Sequence, residues 1–167
     1  MLLKFFCGLV RRTSKGYRSY LTRNFGTSFP SPVPASWPAC GTVLRTIAEH
    51  QKCTSVVKSL RLPSHHTPEK NWDSLIALKT VLANVPRGGR ILDAGGTTES
   101  VILPWLFAYG YANLTAINLD IKKPFNCGTI RYCHGDLTDT RFPDSHFDCV
   151  VCQSVIEHGV NIDTYLR

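Results

Sequence analysis

Ten residues from Ile91 to Ser100, ILDAGGTTES, constrain the fold of this chain more than any other stretch. A short apolar run ends in an acid, Asp93, and passes at once into the glycine pair Gly95-Gly96, after which an apolar, helix-like segment follows. A strand, an acid, a glycine turn and a helix form the first half of a nucleotide-binding α/β unit. Glycines permit such binding because no Cβ keeps a bulky ligand away from the backbone.

Apolar runs of strand length recur after this turn and predict a mostly parallel sheet. Besides the run at 91–95, they cover residues 113–119, 129–133 and 147–152, and a helix is predicted at 100–109. Apolar strands separated by short helices are typical of a parallel sheet that helices cover on both faces. We therefore predict an α/β fold with a Rossmann-like, doubly wound, mostly parallel sheet. The chain stops inside a helix-like segment after about four strands, so we expect this sheet to be incomplete, as in a truncated product.

The chain divides into a basic N-terminal extension with helices, residues 1–66, and a partial α/β domain, residues 67–167. The first 23 residues are predicted to form a short basic helix. Residues 25–41 are rich in proline and serine and are predicted to be a linker or wrapped loop. Spaced apolar residues over 42–60 predict a second helix.

A helix-start pattern opens the second part of the chain. Thr67, Pro68 and Glu69 follow one another, and these residue types are favoured at the N-cap and in the first turn of a helix. We predict a helix that has Thr67 as its N-cap and continues to about Val85.

Basic charge is concentrated towards the N-terminus. Residues 1–70 carry eleven Lys and Arg against two acids, residues 71–167 carry eight against ten, and no acid precedes Glu49. Such a segment suits a mitochondrial presequence, contact with an anionic membrane surface, contact with RNA phosphates, or simply a solvated basic helix followed by a loop. The membrane alternative uses six apolar side chains: Leu2, Leu3, Phe5, Phe6, Leu9 and Val10. The RNA alternative uses five cations: Arg11, Arg12, Lys15, Arg18 and Arg23.

The seven cysteines are scattered and odd in number, which favours a reducing compartment over a disulfide framework. Cys149 and Cys152 form a C-x-x-C, but side chains at this spacing on a strand face opposite sides of the sheet. We therefore predict that they pack in the core and do not share a metal or a disulfide. The doublet His65-His66 has no further ligand at metal spacing and is predicted to lie in a surface loop.

From about residue 88 to 160, the chain resembles a class I S-adenosylmethionine-dependent methyltransferase of the small-molecule type. Four segments carry the resemblance in the family's order and spacing: ILDAGG, INLD, HGDLTDTRFPDSHFD and CVVCQSVIEHG. One segment alone would be a weak signal, whereas four in register are specific. The resemblance implies S-adenosylmethionine as the cofactor, and methyl transfer to an oxygen, nitrogen or carbon nucleophile as the reaction.

The resemblance also implies a cofactor site. In the family the glycine turn passes under the methionine and ribose portions, an acid after the second strand accepts the ribose hydroxyls, and an acid matched here by Asp136 contacts the adenine amino group. Asp120 and Asn118 both fit the second role, and Asp120 is favoured because a carboxylate can accept two O–H donors. Thr97 and Glu99 stand where the family repeats its glycine, which either weakens binding or lets Thr97 bond the ligand. The predicted cofactor-binding residues are Asp93, Ala94, Gly95, Gly96, Thr97, Asn118, Asp120, Asp136, Leu137 and Gln153.

Glu157 and His158 follow the fourth predicted strand. Similar Glu-His pairs help to bind metal in some quinone O-methyltransferases and small-RNA 2′-O-methyltransferases. The RNA enzymes carry a further acid just upstream, which residues 153–156 lack, so no complete metal site is predicted. His158 is a candidate general base because the pKa of histidine lies near neutrality, although a helix-capping or supporting role is favoured.

The predicted function is methyl transfer from S-adenosylmethionine to a small-molecule acceptor in the cytoplasm. One alternative is a non-catalytic or degenerate cofactor-binding homologue, and another is an RNA methyltransferase that uses the basic arm. The basic N-terminus leaves peripheral membrane contact and a mitochondrial location open as well. A nicotinamide dinucleotide enzyme is disfavoured because no G-x-G-x-x-G follows the first strand.

Overall fold

The computed structural model describes residues 12–26, 31–38, 41–159 and 161–165. Three helices precede the sheet: α1 (Ser14–Phe25), α2 (Ile47–Ser59) and α3 (Lys70–Asn84). The α/β part consists of β1 (Arg90–Ala94), α4 (Ile102–Ala108), β2 (Asn113–Asn118), β3 (Phe125–Cys127), β4 (Ile130–His134) and β5 (Cys149–Val151). A 3₁₀ turn (Ile156–His158) and a short helix, α5 (Ile162–Tyr165), end the described part. No helix in these ranges is long and apolar enough to cross a membrane.

The five strands form one sheet in the order β3-β4-β2-β1-β5. The strands β4, β2, β1 and β5 are parallel, and β3 runs antiparallel to its neighbour β4. The chain builds outward from β1 through β2 to β4 and then returns to the other side of β1 for β5. Open α/β sheets bind ligands outside the carboxyl ends of the strands at such a reversal. The predicted α/β fold, with a mostly parallel Rossmann-like sheet, is confirmed.

Within the described ranges, the four longest helices, α1 to α4, pack on one face of the sheet. On that face, Ile91 and Leu114 pack with apolar side chains of α1 to α4 into one large core. The opposite face holds a small cluster that includes Leu92 and Ile117, and Val150 on this face is 55% exposed. The second face carries no helix between β4 and β5, because a loop connects these two strands.

α1 packs onto this helical layer through a narrow apolar stripe. Tyr17 and Leu21 are 6% and 2% exposed, and the centroids of the Tyr17 and Phe107 rings lie 5.1 Å apart. The basic helix predicted over residues 1–23 corresponds to α1 in its second half. Residues 1–11, with the apolar side chains of the membrane alternative and Arg11, lie outside the described residues.

α2 and α3 confirm the two other helices predicted before the sheet, with later starts. α2 begins after Thr46, which forms a capping box with Glu49: Thr46 Oγ1 accepts from the Glu49 N–H at 3.2 Å, and the Glu49 carboxylate accepts from the Thr46 N–H at 3.0 Å. α3 begins at Lys70, and the Lys70 N–H donates to the Thr67 carbonyl at 3.1 Å. The predicted N-cap at Thr67 is therefore wrong, because the chain turns once more before the helix begins and Glu69 takes the cap position.

The segment predicted as a linker or wrapped loop is wrapped onto α3 where the structure describes it, at 31–38. Trp37 is 2% exposed and its ring lies 5.2 Å from that of Trp72 on α3. The Lys79 ammonium donates to the Trp37 carbonyl at 2.5 Å. Residues 27–30 and 39–40 of the predicted linker lie outside the described residues.

The sheet has one strand more than the sequence predicted. The strand β3 was not predicted; its Phe125 ring stacks on that of Tyr132 in β4, with centroids 4.8 Å apart.

The two cysteines of the C-x-x-C lie on opposite faces of the sheet. Cys149 packs against the large core and Cys152 against the small cluster. The predicted opposite orientation of these two cysteines is confirmed.

Candidate functional site

The predicted site residues converge on the carboxyl edge of the sheet. Asp93 pairs with Val151 across β1 and β5, and Asn118 pairs with His134 across β2 and β4, so these strands end side by side. Because the four strands are parallel, segments distant in sequence face one crevice. The residues that follow the strand ends are Gly95, Gly96, Asp120, Asp136 and Gln153.

The turn after β1 requires both of its glycines. Gly95 has a φ angle of +89°, in the left-handed region, and its N–H donates to the Ile117 carbonyl at 2.9 Å. A Cβ on Gly95 would collide with the side chain of Val155, which lies over the turn. A Cβ on Gly96 would collide with the carboxyl group of Asp93. The turn is therefore enclosed between the segment after β5 and the end of β1.

Asp93 lies behind the glycine turn instead of on its outer surface. The residue is 2% exposed, and its Oδ2 accepts a hydrogen bond from the Ser100 hydroxyl at 2.8 Å. Burial raises the pKa of Asp93 to about 6, and the Ser100 hydrogen bond opposes this shift. Through this bond, Asp93 at the start of the turn holds Ser100 at its end. A direct contact between Asp93 and a cofactor stays a prediction.

Thr97 and Ser100 complete the turn at the place where the chain departs from the family's glycine pattern. Thr97 Oγ1 accepts from the Glu99 N–H at 3.2 Å, and the Thr97 carbonyl accepts from the Ser100 N–H at 3.2 Å. Thr97 therefore shapes the entry into α4 and keeps its hydroxyl proton for a further acceptor. Ala94, on the other side of the glycines, is buried in the small cluster.

The end of β2 distinguishes the two residues considered for the ribose hydroxyls. The Asn118 amide donates to the Gly95 carbonyl at 2.7 Å, and its Oδ1 accepts from the Asp120 N–H at 2.9 Å. Both polar ends of this side chain thus join the glycine turn to the turn after β2. Asp120 is exposed, and its carboxylate can face a ligand. The geometry favours Asp120 over Asn118 as the hydroxyl acceptor.

Asp136 begins a tight turn after β4. Its Oδ1 accepts from the Thr138 N–H at 2.8 Å and from the Thr138 hydroxyl at 2.7 Å. These bonds, the backbone bond most of all, lower the pKa of the exposed Asp136 carboxyl. Asp136 is therefore ionised near neutral pH, and its Oδ2 can accept a bond from a ligand. Leu137 beside it is half-buried against the small cluster.

α3 contributes a wall of the site that the sequence analysis missed. Ser74 on α3 donates from its hydroxyl to Gln153 Oε1 at 3.3 Å, which brings the first turns of this helix to the end of β5. Ser154, next to Gln153, has a φ angle of +56°, a strained value of the kind found at functional sites. Asn71 and Ser74 are three residues apart and so lie on one side of α3, and both are buried, at 1% and 3% exposed. Two polar residues at this spacing were the one sign in the sequence that this side of the helix faces a polar site.

The loop between α2 and α3 also reaches the glycine turn. His66 Nδ1 lies 3.9 Å from Glu99 Oε2, and their side chains are 65% and 66% exposed. The His65 ring stacks on that of His66 with centroids 4.3 Å apart, and desolvation lowers the pKa of His65. The predicted surface loop is consistent with the exposure of His66, but its position at the rim of the site had no sequence signal.

Glu157 and His158 lie on the 3₁₀ turn after β5, and both are exposed. The His158 N–H donates to the carbonyl of Val155, the residue that covers Gly95, at 3.0 Å. Among the described residues, no group of three or more His, Cys, Asp or Glu is arranged to hold a metal ion.

Two clefts lie away from the carboxyl edge. One, of about 350 Å³, is lined by residues that include Arg90, Thr115 and Arg131. The other, of about 420 Å³, lies between residues 32–33 and α3 and is bordered by Tyr109. Neither cleft includes the glycine turn, Asp120 or Asp136, so the candidate site is identified by strand topology and side-chain chemistry.

A family described as a methyltransferase domain matches residues 92–167. The match begins within β1 and includes the glycine turn, Asp120, Asp136 and the segment after β5. Through this part, the chain is similar to the methyltransferase family, and the match supports the resemblance to class I methyltransferases inferred from its motifs. No curated protein and no solved structure matches the chain.

Proposed function

We propose that this chain transfers a methyl group from S-adenosylmethionine to a small-molecule acceptor. The family match over residues 92–167 supports methyl transfer, and members of this family usually bind S-adenosylmethionine. The observation that carries the proposal is the meeting of the glycine turn, Asp120 and Asp136 at the edge where strand order reverses.

The groups at this edge fit the cofactor part by part. Gly95 and Gly96 offer a backbone that a ligand can approach closely. The exposed Asp120 carboxylate can accept both ribose hydroxyls. The ionised Asp136 can accept from the adenine amino group through Oδ2, while Leu137 offers apolar surface to the adenine ring.

When bound, the cofactor supplies a methyl group already activated by its sulfonium. The contribution of the chain is then mostly positioning. Gln153 and Ser154, with Ser74 opposite, border the crevice beside the glycine turn, and we propose that the acceptor enters there. His158, exposed on the 3₁₀ turn, is the candidate base for an acceptor that must lose a proton.

A small-molecule acceptor is favoured over RNA by the distribution of charge. The cations of α1 lie far from the carboxyl edge: Tyr17 of α1 packs against Phe107 at the end of α4 and close to Gly128, just before β4 begins. An RNA held by these cations would have to pass around the sheet to reach the glycine turn.

Calorimetric titration of the chain with S-adenosylmethionine and with its demethylated product tests the proposal. We expect micromolar binding. Asp136→Ala should weaken it about tenfold or more, because a bond to a charged acceptor is lost. Asp144→Ala is the matched control, since it removes an exposed aspartate from the same loop without touching the strand end.

Loss of binding in Asp136→Ala, with normal binding in Asp144→Ala, would support the adenine contact. Equal binding by both variants would remove Asp136 from the site. If the native chain melts cooperatively and binds neither compound, the proposal fails and a degenerate homologue of the family becomes the better description.

A further inference from the structure

The proposed reaction leaves one strongly charged surface unused. Arg12, Lys15, Arg18 and Arg23 are exposed on α1 or immediately before it, and none forms an ion pair with a described residue. The first acid of the chain is Glu49. We call these four cations the α1 basic face.

The fold fixes the orientation of this face. Tyr17 and Leu21 bind α1 to the core, which turns the remaining side of the helix to solvent. At about 1.5 Å per residue, Lys15 and Arg23 are roughly 12 Å apart along the helix, with Arg12 just before its start, so the cations can contact more than one phosphate of a nucleic acid strand. The Arg18 guanidinium lies 5.1 Å from the centroid of the Phe107 ring, which holds one cation against the protein.

An exposed aromatic ring lies at the end of the cationic row. Phe25, the last residue of α1, is 36% exposed. The Tyr20 ring contacts it edge to face, with centroids 6.1 Å apart. Cations that follow the phosphates and an aromatic ring on which a base can stack are the two elements of single-stranded nucleic acid binding.

The same observations disfavour an anionic membrane as the partner of α1. A helix lying on a membrane needs an exposed apolar face that enters the headgroup region. Tyr17 and Leu21 are already buried in the protein, and the exposed ring of Phe25 at the end of the helix does not by itself form an apolar face. The solvent side of α1 carries Ser19, Thr22 and Asn24 between its cations.

We propose that the α1 basic face binds the phosphodiester backbone of a single-stranded nucleic acid, and that a base stacks on Phe25. The contact is independent of methyl transfer, because the Tyr17–Phe107 and Tyr17–Gly128 contacts put α1 near the amino edge of the sheet. It would anchor the chain to a nucleic acid without requiring that this polymer be the methyl acceptor.

Fluorescence anisotropy with labelled oligouridylate and oligothymidylate of about 20 nucleotides tests this inference. Salt is varied from about 50 to 200 mM, and the slope of log K against log salt is expected near −2 to −3, for roughly 0.7 per phosphate contact. Stronger binding of the RNA would indicate a 2′-hydroxyl contact, and equal binding would show that the site uses phosphates and bases without that hydroxyl.

The decisive variant is Arg12→Gln/Lys15→Gln/Arg23→Gln, which keeps Arg18 on Phe107. Its affinity at low salt should fall about tenfold or more, and its salt slope should decrease by about 2. The matched control removes three exposed cations elsewhere: Lys122→Gln, Lys123→Gln and Arg131→Gln. Both variants should melt at the temperature of the native chain.

The inference is overturned if no salt-sensitive binding occurs, or if both triple variants lose the same affinity. It is also overturned if vesicles of phosphatidylserine and phosphatidylcholine are bound while both oligonucleotides are not. Phe25→Leu keeps apolar volume and removes the ring. A loss of about fivefold supports base stacking, and unchanged affinity refutes that contact.

Discussion

The two edges of the sheet use polar groups in opposite ways. At the amino edge these groups bind one another. Asp148 Oδ2 accepts from the Arg90 N–H at 2.7 Å, and the Asp148 N–H donates to the Arg90 carbonyl at 2.9 Å. The Tyr111 hydroxyl donates to the Val85 carbonyl at 2.7 Å and accepts from the Arg87 guanidinium at 2.7 Å.

At the carboxyl edge, polar groups fix the backbone and leave acceptors directed to solvent. Asn118 joins two turns, while Asp120 and one oxygen of Asp136 face outward. Left-handed backbone occurs at both edges, at Gly95 and Ser154 here and at Gly110 and Ser145 at the amino edge. The edges differ in whether their polar side chains already bond one another or remain accessible to a ligand. Substitutions at the amino edge should therefore change stability alone, and those at the carboxyl edge should change binding.

The largest effect is expected for Gly95→Ala. The substitution adds a Cβ at a φ angle of +89° and drives it into Val155. Backbone strain and overpacking together should cost about 4 kcal/mol and abolish cofactor binding. Urea unfolding and calorimetry measure the two effects.

Gly110→Ala is the control for that variant. Gly110 has a φ angle of +93°, but the atom nearest to an added Cβ is Arg87 Cδ, at 4.0 Å. Only the conformational penalty applies there, roughly 1–2 kcal/mol. Equal costs for the two glycines would contradict the role of Val155 in enclosing the turn.

The next effect is a pH dependence due to Asp93. Burial raises the pKa of Asp93 from its ordinary value of 3.8 to about 6 on folding, so at intermediate pH the native state holds the proton more tightly than the unfolded state does. Stability should therefore fall as pH rises between these values, by roughly 3 kcal/mol in total. Asp93→Asn removes the ionisation and should gain stability relative to the native chain over this interval. If the difference in unfolding free energy between Asp93→Asn and the native chain is the same at about pH 4 and about pH 7, the assignment is refuted.

A smaller effect is expected at the amino edge. Tyr111 is 1% exposed, and Tyr111→Phe leaves the Val85 carbonyl and the Arg87 guanidinium without this hydroxyl. We expect a loss of about 2 kcal/mol in unfolding free energy and an unchanged dissociation constant for S-adenosylmethionine. Tyr109→Phe removes one hydroxyl bond, to the Ser31 carbonyl, and should cost about half as much. A change in cofactor affinity for Tyr111→Phe would break the separation of the two edges.

The smallest effect belongs to the His66–Glu99 pair at the rim of the site. Both side chains are about two-thirds exposed, so a double-mutant cycle of His66→Gln and Glu99→Gln should give a coupling free energy below about 1 kcal/mol. A larger coupling would mean that this pair holds the loop onto the glycine turn.

The strands were predictable where burial dictates composition. β1, β2, β4 and β5 lie within a few residues of the predicted runs, because strands buried in a parallel sheet are nearly continuous in apolar residues. β3 has only Phe125, Asn126 and Cys127, and it is a strand because it pairs with β4. The Thr67 N-cap failed for a related reason, since a local pattern cannot show that the chain makes another turn before α3.

The sequence predicted which segments form the site, but it did not predict which residues in them contact one another. The motifs located the glycine turn, Asp120 and Asp136, because each follows a strand end that the sequence marks. They did not reveal that Ser74 of α3 bonds Gln153, or that His66 approaches Glu99. Those contacts join residues far apart in the chain, and no periodicity records them.

The sequence by itself determined the glycine turn, the acids after the strands, the resemblance to a methyltransferase and the basic character of the N-terminus. The tertiary structure decided which of these groups face a ligand. Asp93 is buried and bonds Ser100, and Asn118 bonds both the glycine turn and the turn after β2. Asp120 is therefore the acid at the end of β2 whose carboxylate is exposed to a ligand. Packing also directed the cations of α1 outward by burying Tyr17 and Leu21. The physical reason is that composition and local spacing fix which groups a chain carries, whereas their exposure depends on the neighbours that folding brings together.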